Sequence, residues 1–260
     1  ASANDALAVA AATQLRFVPA PEFYGPAPTL TVALIDPPAP VTTGAVVDAA
    51  TRGGTSAYSS GTVVLSHEVT PVNDAPVLTA GGTLVPVDED ATAIASTALS
   101  ALAAADDAVD GGTVTGFAIV GNAATAGQGT WQYSTDGGTS WFAIGAVADG
   151  ATALALSASS LVRFVPAPDY NGTPGSLTVR ALDDTYSGGY AAGGMRVAAD
   201  TSANGGSSAI SLATQTIGTS VAPVNDAPTI TATSSITVAE DTASPGGTAL
   251  GALVSVNHSL

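Results

Sequence analysis

Ser176-Leu177-Thr178-Val179-Arg180-Ala181-Leu182 alternates apolar and polar side chains, the two-residue period of an extended strand with one buried face. The segments around it read the same way. Thr62-Val63-Val64-Leu65-Ser66-His67-Glu68-Val69 is rich in β-branched residues and ends at Pro71, and Thr113-Val114-Thr115-Gly116-Phe117-Ala118-Ile119-Val120 is similar. Trp131-Gln132-Tyr133-Ser134 and Ser140-Trp141-Phe142-Ala143-Ile144 flank Thr135-Asp136-Gly137-Gly138-Thr139, whose Asp-Gly step marks a hairpin because glycine accepts the positive φ of a tight turn. Residues 91–105 are alanine-rich and could form a helix, although their Thr and Ser content and their place among strands argue against it. Seven or more strands with no alternating helices predict an all-β antiparallel sandwich.

The same text recurs along the chain. Pro71-Val72-Asn73-Asp74-Ala75-Pro76 returns 152 residues later as Pro223-Val224-Asn225-Asp226-Ala227-Pro228. Leu15-Arg16-Phe17-Val18-Pro19-Ala20-Pro21 matches Val162-Arg163-Phe164-Val165-Pro166-Ala167-Pro168, and Leu30-Thr31-Val32 matches Leu177-Thr178-Val179, both at an offset of 147. Val87-Asp88-Glu89-Asp90-Ala91 matches Val238-Ala239-Glu240-Asp241-Thr242 at 151. The period is therefore about 150 residues, with five extra residues in one loop. Residues 1–75 read as the C-terminal part of a first repeat, 76–227 as a complete repeat and 228–260 as the opening of a third, so the chain is expected to be an excerpt of a longer array.

Composition removes most chemistries. The 260 residues carry 21 acidic and 5 basic side chains, a formal net charge of −16, which disfavours a nucleic-acid partner. All five bases are arginines (Arg16, Arg52, Arg163, Arg180, Arg196), there is no cysteine, and the only histidines are His67 and His258. Thiol chemistry, lysine Schiff bases and disulfides are therefore absent. Hydrophobic residues reach 46%, which argues against wholesale disorder. No run of about 18 residues is free of polar or helix-breaking residues, and the start lacks a basic-then-apolar leader, so neither a membrane span nor a signal peptide is expected. Neighbouring acids such as Asp183 and Asp184 have no nucleophile or activated base beside them, so no enzyme activity is expected.

What remains plentiful is carboxylate, mostly aspartate, the short oxygen ligand suited to hard cations. Asn73-Asp74 and Asn225-Asp226 sit between prolines, and Glu89-Asp90 and Glu240-Asp241 each follow a linker by the same interval. The plainer reading of Asn-Asp is a turn before proline. Asp106, Asp107 and Asp110, ahead of Gly111-Gly112, form a second acidic knot, either a solvated loop or a cation site that relieves carboxylate repulsion. The long connection from Asp183 to about Gly206 holds Tyr186, Tyr190 and many glycines, a length that suits either a binding loop or a tolerated insertion. Trp131, Tyr133 and Trp141 are assigned to the core, with an exposed sugar-binding platform as the alternative. His67 shares the parity of Val63, Leu65 and Val69 but matches Thr219 in the other copy, so no role requires its imidazole.

Taken together, the Asn-Asp-Ala-Pro linkers, the Glu-Asp pairs behind them and the stretches 131–144, 162–166, 177–183 and 200–211 resemble the cadherin-like, VCBS-type tandem repeats of giant bacterial surface adhesins of the repeats-in-toxin class. The resemblance covers essentially the whole chain. It implies tandem Ig-like or cadherin-like antiparallel Greek-key sandwiches, located extracellularly on the bacterial cell surface, forming an extender that projects a binding tip and whose junctions are stiffened by Ca2+. Carried over by position, Asn73, Asp74, Asn225 and Asp226 would be linker ligands, Glu89, Asp90, Glu240 and Asp241 would reach a junction from an early strand, and Asp183 and Asp184 would supply an apposed loop. Asp36 holds the place of Asp183 in the first copy, where Pro37 replaces the second acid. The sequence departs from the familiar cadherin linker by having Ala-Pro after the Asp. The expected partners are neighbouring repeats, with other copies end to end or a glycan as further options. The alternatives to an extender are a self-assembling filament or sheath subunit, and a carbohydrate-binding module.

Overall fold

A computed structural model describes residues 3–36 and 41–257, and nearly all of its regular structure is strand. His258 and Pro37 lie outside the described residues. The chain divides into two compact units, residues 1–72 and 73–260.

The first unit consists of short antiparallel pairs: Ala6–Leu7 with Val46–Val47, Gly25–Pro26 with Glu68–Val69, and Leu30–Val32 with Val63–Leu65. His67 falls between two of these strands and is exposed, its ring 6.1 Å from that of Phe17. The recurring Arg-Phe-Val motif behaves differently in the two units. Phe164 belongs to Leu161–Pro166, which pairs on both sides with Gly129–Ser134 and Thr97–Ala98. In the first unit, residues 15–18 form no strand. Phe17 is 41% exposed where Phe164 is 1%, and Leu30 is 49% exposed where Leu177 is fully buried.

The second unit packs two sheets around one core. The five-stranded sheet runs Ala198–Ala199, Ala153–Ser157, Val114–Asn122, Leu177–Asp183, Gln215–Ile217; the four-stranded sheet runs Phe142–Ala143, Gly129–Ser134, Leu161–Pro166, Thr97–Ala98. All these pairings are antiparallel. The expected alternation places Phe117, Ile119, Leu154, Leu156, Leu177 and Val179 in the core between the sheets. Trp131 and Phe164 meet there edge to face at 5.2 Å. The other face of the five-stranded sheet carries Ala118, Val120, Ala153 and Ala155, and the long loop folds over it with Tyr186, Tyr190, Val197 and Ile210. Small side chains on that face let the loop lie close, which is how so alanine-rich a chain fills a second layer.

Trp131 and Tyr133 lie in the core as expected, and the 129–134 and 142–143 strands pair across the Asp-Gly turn, where Gly137 has φ 71°. Trp141 does not join them. It is half-buried at the surface with the Arg163 guanidinium 4.0 Å above its ring. Within residues 91–105 only Leu99–Leu102 is helical, a single turn pinned by buried Leu99 and Leu102. Ahead of it Val77–Ala80 pairs with Ala104–Asp106, and this arrangement reappears near the C-terminus as Thr229–Thr233 with Val254–Asn257 around the helix Leu250–Leu253.

Candidate metal centres

Two groups of acidic residues in the second unit lie near its linkers. Leu177–Asp183 separates them, a strand whose seven residues span roughly 20 Å.

At the first, Asp183 ends that strand fully buried. Its Oδ1 accepts from the Thr185 amide and hydroxyl at 2.8 and 2.7 Å, and its Oδ2 accepts from Asn73 Nδ2 at 3.1 Å. The Asp74 amide donates to Asp110 Oδ2 at 2.8 Å and the Gly112 amide to Asp110 Oδ1 at 3.0 Å, and these two donors hold the Asp110 carboxyl below its ordinary pKa. Asp107 lies between these groups, 7% exposed, and its Oδ2 is buried without a hydrogen-bond partner. Burial first, and then the negative charges of Asp183, Asp110, Asp184 and Asp106, together raise its pKa from 3.8 to about 6. Gly112 lets the Asp107 carboxylate lie close, since a Cβ there would collide with it unless the Asp107 side chain moved. Asp184 itself is exposed.

At the second, parallel pairing of Val87–Asp88 with Val221–Ala222 brings Glu89 beneath the outgoing linker. Glu89 is buried; its Oε1 accepts from the Val224 amide at 2.7 Å and its Oε2 from Asn171 Nδ2 at 3.3 Å. Beside it one oxygen each from Asp90, Asp169 and Asp226 lie within 4.8 Å of one another, with Asp90 and Asp169 exposed. Asp90 and Asp169 sit in left-handed backbone, φ 61° and 58°, a conformation that aspartate tolerates better than most residues.

The linker and Glu-Asp motifs are thus shared between the two places. Asn73 joins Asp183 and the Asp74 amide joins Asp110, with Asp184 adjacent; Asp90 meets Asp226, and Glu89 holds the linker through the Val224 amide. Asn225 is exposed, donating through Nδ2 to Asp226 O at 3.3 Å. Glu240 and Asp241 are exposed and join no convergent group of three acids among the described residues, although Asp241 copies the Asp90 backbone at φ 68°. Reading along the chain left the Asp107–Asp110 knot detached from Asn73 and Asp183, and it missed Asp169. A signal for Asp169 existed: Glu22 stands 147 residues before it, also after the recurring Phe-Val-Pro-Ala-Pro, and takes φ 57°. A sugar platform of Trp131, Tyr133 and Trp141 is not formed, because two of the three rings are interior. No protein-family model, curated protein or solved structure matches the chain.

Proposed function

We propose that this chain is a spacer segment of tandem β-sandwich repeats of the Greek-key, cadherin-like kind, belonging to an extracellular bacterial surface adhesin, and that the acidic ends of its repeats bind Ca2+. The observation that carries the reading is Asp107, a buried carboxylate whose Oδ2 has no partner and whose charged neighbours are all acidic. A buried anion is tolerated when paired or when it coordinates a metal. Among the described residues no base supplies the pairing, and the carboxylate packs directly against Gly112.

The donors suit a hard cation, being carboxylate, carboxamide and carbonyl oxygens with no thiolate or imidazole. Asp90, Asp169 and Asp226, with one oxygen each within 4.8 Å of the others, would hold the ion at the outgoing linker; at the incoming linker Asp107, Asp110 and Asp183, whose oxygens do not meet within that distance, would have to draw together around a second ion. When bound, the ion supplies the positive charge that the cluster lacks. Asn73 and the Asp74 amide keep the linker against the site, and Glu89 holds the outgoing linker through Val224.

The test is a calcium titration by calorimetry with melting followed in parallel. Saturable binding with a rise in Tm, and a fall in Tm and in radius of gyration on chelation, is the expected result. Unchanged melting in excess chelator would remove the cation from the account and leave a string of β-modules.

A further inference from the structure

One turn is built twice in this chain. Gly205-Gly206-Ser207-Ser208-Ala209-Ile210-Ser211 recurs 152 residues earlier as Gly53-Gly54-Thr55-Ser56-Ala57-Tyr58-Ser59. In the second unit the Gly205 amide donates to Ile210 O at 2.8 Å, Ser208 to Gly205 O at 3.1 Å, and Asp183 to Ala209 O at 3.1 Å. In the first, Gly53 donates to Tyr58 O at 2.9 Å, Ser56 to Gly53 O at 3.1 Å, and Asp36 to Ala57 O at 2.8 Å. The hydroxyls match as well: Ser208 Oγ donates to Ile210 O at 3.1 Å and Ser56 Oγ to Tyr58 O at 3.2 Å. Ser211 Oγ accepts the Ala181 amide at 2.9 Å, and Ser59 Oγ the Leu34 amide at 3.0 Å. The glycine pairs hold φ 71° and 56° in one copy, 69° and 59° in the other, the left-handed region that glycine enters at little cost.

In the second unit the purpose of this geometry is visible. Three consecutive carbonyls face the linker. Gly206 O accepts the Ala75 amide at 2.7 Å, while Ser207 O and Ser208 O receive Asn73 Nδ2 at 3.5 and 3.3 Å. The same carboxamide reaches Asp183 Oδ2 at 3.1 Å. The turn therefore reads a carboxamide donor followed, two residues later, by a main-chain N–H. The first unit holds the corresponding acceptors, the carbonyls of Gly54, Thr55 and Ser56 and the carboxylate of Asp36, and no donor among its described residues reaches them.

We propose that the turn at residues 53–59, with Asp36, is a receptor for an Asn-Asp-Ala linker segment of another repeat. Asp36 and three carbonyls are all acceptors, so the site takes the Asn carboxamide and rejects a carboxylate in its place. No cation enters this recognition, so it stands or falls separately from calcium binding.

The experiment uses the isotopically labelled full chain in excess chelator, titrated with the peptide Pro-Val-Asn-Asp-Ala-Pro and with its Asn→Asp variant. Saturable shifts of the Asp36, Ser56, Ala57 and Tyr58 amides are expected with the first peptide, and at least tenfold weaker binding with the second. The Ser208, Ala209 and Ile210 amides stay still, because Asn73 already fills their turn, and they respond to the peptide only in the Asn73→Ala variant. Equal response to both peptides, or a second-unit response in Asn73→Ala without one in the first unit, overturns the proposal. A tethered measurement covers the entropy lost by a free peptide: in Asn73→Ala, hydrogen exchange at Ala75 accelerates at least tenfold. Silence of both turns together with unchanged Ala75 exchange also overturns it.

Discussion

Asp107 carries a charge that its surroundings oppose, and this makes its substitution informative. In chelator, Asp107→Asn removes a buried anion and is expected to leave Tm unchanged or raised, while the Tm gain on adding calcium shrinks. A structural carboxylate would give the reverse, a lower Tm in chelator with the calcium gain intact. The pH dependence has a definite sign. The Asp107 carboxyl titrates near 6 in the fold against 3.8 in the open chain. Between those values the folded state holds a proton that the unfolded state has released, so this group makes stability rise as pH falls from about 6 to about 4. Melting curves in chelator across that window should show the rise in the wild type and lose it in Asp107→Asn.

At the scale of elements, the loop that folds over the outer face of the five-stranded sheet is pinned by one ion pair. Arg180 Nη2 meets Asp149 Oδ2 at 2.6 Å, Nη1 donates to Ser211 O and Leu212 O, and Asp149 Oδ1 accepts from Thr201 Oγ1. Hydrogen bonding from Arg180, ahead of that from Thr201, brings the Asp149 carboxyl down to about 2. Its contribution is full above 3.8 and is lost as pH falls from about 4 to about 2, opposite in sign to that of Asp107. Asp149→Asn should cost about 1–2 kcal/mol, at the low end for a hydrogen-bonded charge because the side chain is half-exposed, and should quicken amide exchange in residues 201–212. The repeated motif supplies a paired test. Phe164→Ala should cost about 3–5 kcal/mol by chemical denaturation, and Phe17→Ala, at the same place in the motif but exposed, well under that. The strand at 176–182 was legible because Leu177, Val179 and Ala181, which face the core, alternate with Thr178 and Arg180, although the opposite face is buried too. The loop's cover was not, because Ala118, Ala153 and Ala155 have no polarity signal, and their smallness matters only once another layer lies on them. Linker and Glu-Asp motifs were legible as ligands one at a time. Their grouping was not, since Asp107 and Asp183 meet only through the sheet, and Glu89 and Asp226 only through a parallel pairing of two-residue strands.

For the whole molecule, a net charge of −16 means that any added salt reduces self-repulsion, so a stabilising effect of calcium is not by itself evidence of built sites. The two effects separate by concentration. Screening grows gradually as the Debye length falls from about 10 Å at 0.1 M to about 3 Å at 1 M ionic strength, and it takes any cation. Binding at the proposed sites, Asp90–Asp169–Asp226 and the acids around Asp107, would saturate and discriminate. Tm measured against sodium chloride should climb smoothly, whereas calcium should produce a saturable step at far lower ionic strength. Magnesium, which gives up its water reluctantly and demands octahedral geometry, should produce a smaller one. The double variant Asp107→Asn with Asp226→Asn should abolish the step and leave the sodium chloride slope nearly unchanged, because two charges of this excess alter the overall field little. If calcium at matched ionic strength raises Tm no more than sodium does, the acidic groups are repelling surfaces that the fold endures, and the linker would be held by its hydrogen bonds alone.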